Sequence, residues 1–176
     1  DSIKYFDYVL GFTHRSTITE VLNNCKPRRP EGKQLSAGNH PAYLPGVKER
    51  WKFIEPTLKK SPFLKIVPMI ASMGCPYACP FCIDSIVPYQ PLNYDAIKED
   101  LRFLLTKFNK PVVAWHDPNF GIRFNDNADA IAEVAPPKSF RFIGESSLSI
   151  LTEDHLKIMQ QLGFVALLPG IESWYD

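Results

Sequence analysis

The sequence predicts an α/β fold: a partial (β/α) barrel in which four βα units are readable. Three observations lead there. From residue 62 onward, short apolar runs with strand texture alternate with amphipathic helical stretches. Acidic residues close the second, third and fourth of those strands at nearly constant spacing. A tight cysteine trio, "CPYACPFC" (75–82), follows the first strand directly.

Taken in order, "YFDYVLGF" reads as a strand and "STITEVLNN" as a helix with Ser16 as N-cap, which together fill residues 1–25. Residues 26–61 are expected to be a linker, because 26–48 has no period and is rich in Pro, Gly and charge. Its Lys26, Arg28, Arg29 and Lys33 read as a solvated basic loop rather than a nucleic-acid contact, since no aromatic stacking pattern accompanies them. The alternating part, 62–176, opens with the strand "FLKIVPMIA" (63–71). The helix over 95–108 places Ile97, Leu101, Leu104, Leu105 and Phe108 on one face. "PVVAWHD" (111–117) is a short buried strand, and 125–135 is a helix closed by Pro136-Pro137. "FRFIGES" (140–146) is a third strand. The helix over 152–163 starts on Thr152, carries two acids in its first turn and stops on Gly163. "FVALLPGIES" (164–173) is the fourth strand. Strands separated each time by one helix form a parallel sheet with right-handed crossovers.

The acids are Asp117, Glu145 and Glu172, 28 and 27 residues apart. That matches the roughly 30 residues of one βα unit in a barrel. In a parallel sheet these strand ends share one edge, which is where active sites of such folds lie. The cysteines and carboxylates are therefore expected to converge.

A net charge of +1 gives no global electrostatic case for nucleic acid or an anionic membrane. The longest apolar runs, such as "FVALLPGI" (164–171), are too short to span a bilayer. Cys75, Cys79 and Cys82 are clustered, while Cys25 lies 50 positions upstream. A tight odd-numbered cluster fits reduced thiolates on a metal better than a disulfide framework, and implies a reducing compartment. An iron–sulfur cubane normally takes four thiolates. Three leave one iron open to a substrate or cofactor, by the logic that separates catalytic from structural zinc sites. Pro76 and Pro80 keep the loop from continuing as helix, and Tyr77 and Phe81 are suited to screening a cluster from water. The rival is a structural zinc site with His116 or Cys25 as fourth ligand, although no second C-x-x-C pair is present. Non-catalytic electron transfer is a further alternative.

The spacing C-x-x-x-C-x-aromatic-C, in the loop after the first strand of an α/β barrel, resembles the radical S-adenosylmethionine (SAM) superfamily. The resemblance implies that Cys75, Cys79 and Cys82 hold a 4Fe-4S cluster whose open iron is chelated by SAM, with Phe81 as the motif's aromatic. It implies reductive cleavage of SAM to methionine and a 5′-deoxyadenosyl radical, and a reductant protein such as flavodoxin or ferredoxin. It places Asp117 near the amino end of SAM, Glu172 and Ser173 at its ribose, and Glu145 in the same pocket. "GCPYACPFC", "DPNFG" and "GIES" are similar to the subgroup that carries a cobalamin-binding domain before the barrel. On that likeness residues 1–25 are the remnant of a Rossmann-like domain, and cobalamin joins the candidate cofactors. Three places depart from the subgroup: Met73 before the Gly-Cys, His116-Asp117-Pro118 before the Asn-Phe pair, and Gly11-Phe12 after the first strand. An RNA-modifying relative using the basic linker is a further alternative. The family barrel has more strands than the four readable here, so the chain is expected to be a piece of a longer cytoplasmic enzyme. The substrate is not legible.

Overall fold

The computed structural model describes residues 6–10, 15–24, 33–35, 44–61 and 65–171. The chain forms two compact units, Asp1–Pro45 and Gly46–Asp176. The stretch 26–61 expected as linker is thus divided between them, and it contributes a strand to one and a helix to the other.

In the first unit, strand β1 (Tyr8–Leu10) leads into helix α1 (Arg15–Asn24) and then strand β2 (Lys33–Leu35). β1 and β2 pair in parallel, Tyr8 opposite Lys33 and Leu10 opposite Leu35. A parallel pair needs a crossover, and α1 supplies it. Ser16 lies inside α1 rather than capping it.

The second unit begins with helix α2 (Val47–Lys60). Gly46 has no side chain to cap it, and the cap comes from elsewhere in the chain. The buried Asp100 carboxylate accepts from Val47 N at 2.6 Å and Lys48 N at 2.8 Å. A Cβ on Gly46 would stand 2.5 Å from Asp100 Oδ2, so glycine makes room for this cap. Trp51 of α2 packs edge-on against Phe103 and Phe108.

Strand β3 (Ile66–Met69) follows, then a short antiparallel ladder of β4 (Ser72–Met73) with β5 (Gln90–Pro91). Helix α3 (Tyr94–Lys107) is capped by Asn93, whose side chain accepts from Asp95 N at 2.8 Å. β6 (Val112–Trp115), α4 (Phe124–Val134), β7 (Arg141–Ser147), α5 (Glu153–Leu162) and β8 (Phe164–Gly170) complete the described elements. Thr152 caps α5 by accepting from His155 N at 3.2 Å, and Gly163 ends it at φ 104, as the sequence predicts. The His155 ring stacks on Phe124, with centroids 4.1 Å apart.

All pairings in the main sheet are parallel, in the order β3-β6-β7-β8. That order never reverses, and α2, α3, α4 and α5 each touch the next helix. With crossovers of one hand, a sheet wound in one direction keeps its helices on one face; a doubly wound sheet reverses its order and covers both. Residues aligned across the strands make the helix-facing core: Val67, Val113, Phe142 and Phe164 in one row, then Met69, Trp115, Gly144 and Leu167. Glycine at 144 admits the Phe164 ring, which would lie 3.1 Å from a Cβ there. The opposite face carries the row Pro68, Ala114, Ile143 and Ala166, mostly small side chains. Val165 is an extra residue in β8, a bulge, and is exposed.

Candidate functional site

The cysteines ride on a loop that the fold closes at its base. Beyond β3, the β4–β5 ladder pairs Ser72 with Pro91 and Met73 with Gln90, and Leu92 N bonds Ala71 O at 2.8 Å. Residues 74–89 are thereby pinched into one excursion from the C-terminal edge of the sheet. Gly74 enters it at φ +66, a left-handed conformation that side chains resist. A Cβ there would meet Val87 O at 2.3 Å and Pro88 O at 2.6 Å. Within the loop, Cys75 N bonds Asp84 O, and a 3₁₀ turn over Ile83–Ile86 is tied to Cys82 O by Ser85 N and Oγ.

Cys75, Cys79 and Cys82 are free thiols, each half-buried. Cys82 Sγ lies 4.0 Å from Asp84 Oδ2. Among the described residues no three His, Cys, Asp or Glu side chains converge on one metal position. Three soft thiols on one solvent-reached loop are a donor set of the kind that iron–sulfur clusters take, and zinc takes thiolates as well. Phe81 stands in solvent, 67% exposed, with Ile83 and Ile86 exposed beside it. In this structure it does not fold over the sulfurs.

Asp117 is fully buried. Its carboxylate accepts from Ala71 N at 2.9 and 3.0 Å and from Ser72 Oγ at 2.8 Å. It thus ties the end of β6 to the stem of the cysteine loop. Burial pushes its pKa up to about 6, against the pull of the bonds from Ala71 and Ser72. Tyr89 lies on the returning side of the stem, and burial raises the pKa of its phenol.

Glu145 stands within β7, two positions before its end, on the face opposite the helices. Its Oε1 lies 3.3 Å from His116 Nδ1, and both side chains are about half exposed. His116 and Glu145 continue the pattern of Ala114 and Ile143 one step nearer the C-terminal edge. Glu172 and Ser173 lie outside the described residues. Of the expected constellation, the structure joins Asp117 to the stem of the cysteine loop and Glu145 to His116. It joins neither carboxylate directly to a cysteine.

The sequence reading missed the polar lattice that shapes this edge. Buried Asn119 accepts from Ser146 Oγ at 2.8 Å and from Ser147 N at 3.2 Å, fastening the Asp117–Gly121 turn onto β7. Asn127 donates to Phe120 O at 3.0 Å and accepts from Tyr94 OH at 3.1 Å. The signal lay in "DPNFG" and "ESS", polar clusters at strand ends whose hydroxyls and amides are the right size for turn bonds.

No family model matches this sequence, and no curated protein matches it. Among solved structures the chain is similar to the radical S-adenosylmethionine methyltransferase TsrM from Kitasatospora setae, solved with tryptophan substrate and a SAM analog (aza-SAM) bound. The TM-score is 0.56 at 13% identity. The match covers 64% of this chain and 23% of that chain. The likeness is one of fold: an α/β architecture with a parallel four-stranded sheet.

Proposed function

We propose that this chain is part of a radical SAM enzyme, its sheet one wall of a (β/α) barrel over residues 62–176, and that Cys75, Cys79 and Cys82 hold a 4Fe-4S cluster with one iron left to SAM. The observation that carries this reading is the cysteine loop itself: three free, half-buried thiols on an excursion pinched at the C-terminal end of the first strand of a singly wound parallel sheet. The fold likeness to a radical SAM methyltransferase supports it. Held by Cys75, Cys79 and Cys82, such a cluster would supply the electron for reductive cleavage of SAM to methionine and a 5′-deoxyadenosyl radical. The chain's own residues position the reaction. Gly74, the β4–β5 ladder and Asp117 fix the stem from which the thiols project. Asp117 has both oxygens committed to Ala71 and Ser72, so its part is to hold the loop. Glu145, accessible and oriented by His116, is the carboxylate suited to accept from the SAM ammonium or a ribose hydroxyl. Glu172 and Ser173 retain the proposed ribose role, and Phe81 the role of covering the cluster once it is bound.

A one-electron donor of flavodoxin or ferredoxin type and a reducing, cytoplasmic setting belong to the same proposal. Among the described residues no helix is long and apolar enough to cross a membrane. The parallel β1–β2 pair around α1 supports reading the first unit as part of a Rossmann-like domain of cobalamin-binding type.

Anaerobic reconstitution with iron and sulfide tests the central claim. About four irons per chain and a reduced-cluster paramagnetic spectrum that changes on adding SAM are expected. Serine at any one of the three cysteines should abolish the signal. One zinc per chain with no response to SAM would overturn the proposal in favour of a structural metal module.

A further inference from the structure

At the opposite edge of the main sheet, where α3 and α4 hand over to β6 and β7, lies an open cavity of about 660 Å³. It is formed by the segments 105–110 and 137–139. Its size falls within the roughly 300–1,000 Å³ of small-ligand sites. Three lysines line it, Lys107, Lys110 and Lys138, and no acidic residue does. In a chain of 20 basic and 19 acidic residues this is a marked local imbalance. Lys107 is held over the rings of Trp51 and Phe103, at 5.9 and 5.2 Å. Lys110 and Lys138 make no ion pair among the described residues.

A further observation points to a ligand. Lys110 and Lys138 both have left-handed backbones, φ 55 and 59. Glycine or asparagine adopts that conformation at less cost than lysine, so the backbone gains nothing from lysine there. Strained positions of this kind cluster at ligand sites. Ser139 also lines the cavity, but its hydroxyl is closed off from solvent and has no hydrogen-bond partner. The C-terminal ends of α3 and α4 also face this edge, and each contributes roughly half a negative charge. Three ammonium groups exceed that by about two charges, so helix-end neutralisation does not account for all three.

We propose that this cavity binds a small phosphate-bearing anion, with Lys110 and Lys138 supplying the charge. Lysine ammonium groups suit phosphate as mobile point charges. The site lies away from the cysteine loop, and the proposal does not depend on radical chemistry.

Calorimetric titration of the full chain with sodium pyrophosphate at low ionic strength tests it. The variants are K110N/K138N, either single variant if the double fails to fold, and the control K59N/K157N, which removes equal charge from exposed helical positions. Saturable binding to one site is expected, at least about tenfold weaker in K110N/K138N and unchanged in the control. Without ligand, K110N/K138N should melt at or above the wild-type temperature, because asparagine accepts the left-handed backbone. Absence of saturable binding, an equal loss in the control, or a lower Tm with unaltered affinity would overturn the proposal.

Discussion

Replacing Asp117 with asparagine separates the charge of this buried group from its shape. The native carboxyl titrates near 6 because burial disfavours its ionised form more than Ala71 and Ser72 favour it. Its folded pKa therefore lies above the unfolded value of about 3.9. A proton bound more tightly in the folded state stabilises that state. This contribution is complete below the unfolded pKa and is lost as pH rises through about 6. Linkage between those two values gives a loss of about 2 kcal/mol from about pH 4.5 to about pH 7.5. Asparagine has no proton to titrate, so the stability of wild type minus that of D117N should fall by that amount over the interval. Other carboxylates titrate in both proteins and cancel in the difference. Urea denaturation at a series of pH values, followed by tryptophan fluorescence, supplies the measurement, since Trp115 is buried beside this strand end. Parallel curves for the two proteins, or a difference that grows with pH, would refute the assignment of Asp117 as a buried carboxyl that resists ionisation.

Gly74→Ala should loosen the stem of the cysteine loop: the left-handed backbone alone costs about 1–2 kcal/mol, and the added Cβ presses on two backbone carbonyls. Hydrogen exchange over residues 71–92 should quicken and retained iron should drop by more than about half; wild-type exchange would contradict the geometry. Asp100→Ala strips the cap from α2 and leaves two amide donors without their carboxylate, at a cost of about 2 kcal/mol or about 6 °C in Tm. Asp100→Asn should recover part of that loss, and calorimetric melting of the two variants decides the point.

The strands of the main sheet and the helices α3, α4 and α5 were legible because each has one dominant local signal. Apolar periodicity gave α3, Thr152 and Gly163 bounded α5, and apolar runs between turn residues marked β3, β6, β7 and β8. α2 was hidden by Pro56 inside it and by Gly46 at its start, where no capping side chain is present. Its cap comes from Asp100, 53 residues downstream, a tertiary contact that no window of sequence contains. The β4–β5 ladder escaped for the same reason, being two residues long with a proline in one strand. At the proposed site, the cysteines stand out in the sequence because ligand chemistry favours both a residue type and a spacing. The placement of the carboxylates was not legible, because a strand-end acid reads alike whether it faces inward or outward. Asp117 turned inward to the stem, while Glu145 lies within its strand and pairs with His116.

That division explains how one loop is firm at its base and open at its tip. The stem is fixed from three directions: by Asp117 across the sheet, by the ladder to β5, and by backbone carbonyls packed around Gly74. The tip has the opposite character, with half-buried sulfurs and exposed Tyr77, Phe81, Ile83 and Ile86. Apolar side chains left in water contribute no burial energy to the folded chain alone, roughly 1.5–3 kcal/mol forgone for each large one. On the proposed function, a loop anchored so thoroughly yet carrying unspent apolar surface gains its last contacts from the cluster and SAM. Loading the cysteines should therefore raise protection against hydrogen exchange at 77–86 more than at the stem, which is ordered already. An equal rise at both would mean that the metal, not the fold, organises the stem, and the role given to Asp117 would fail.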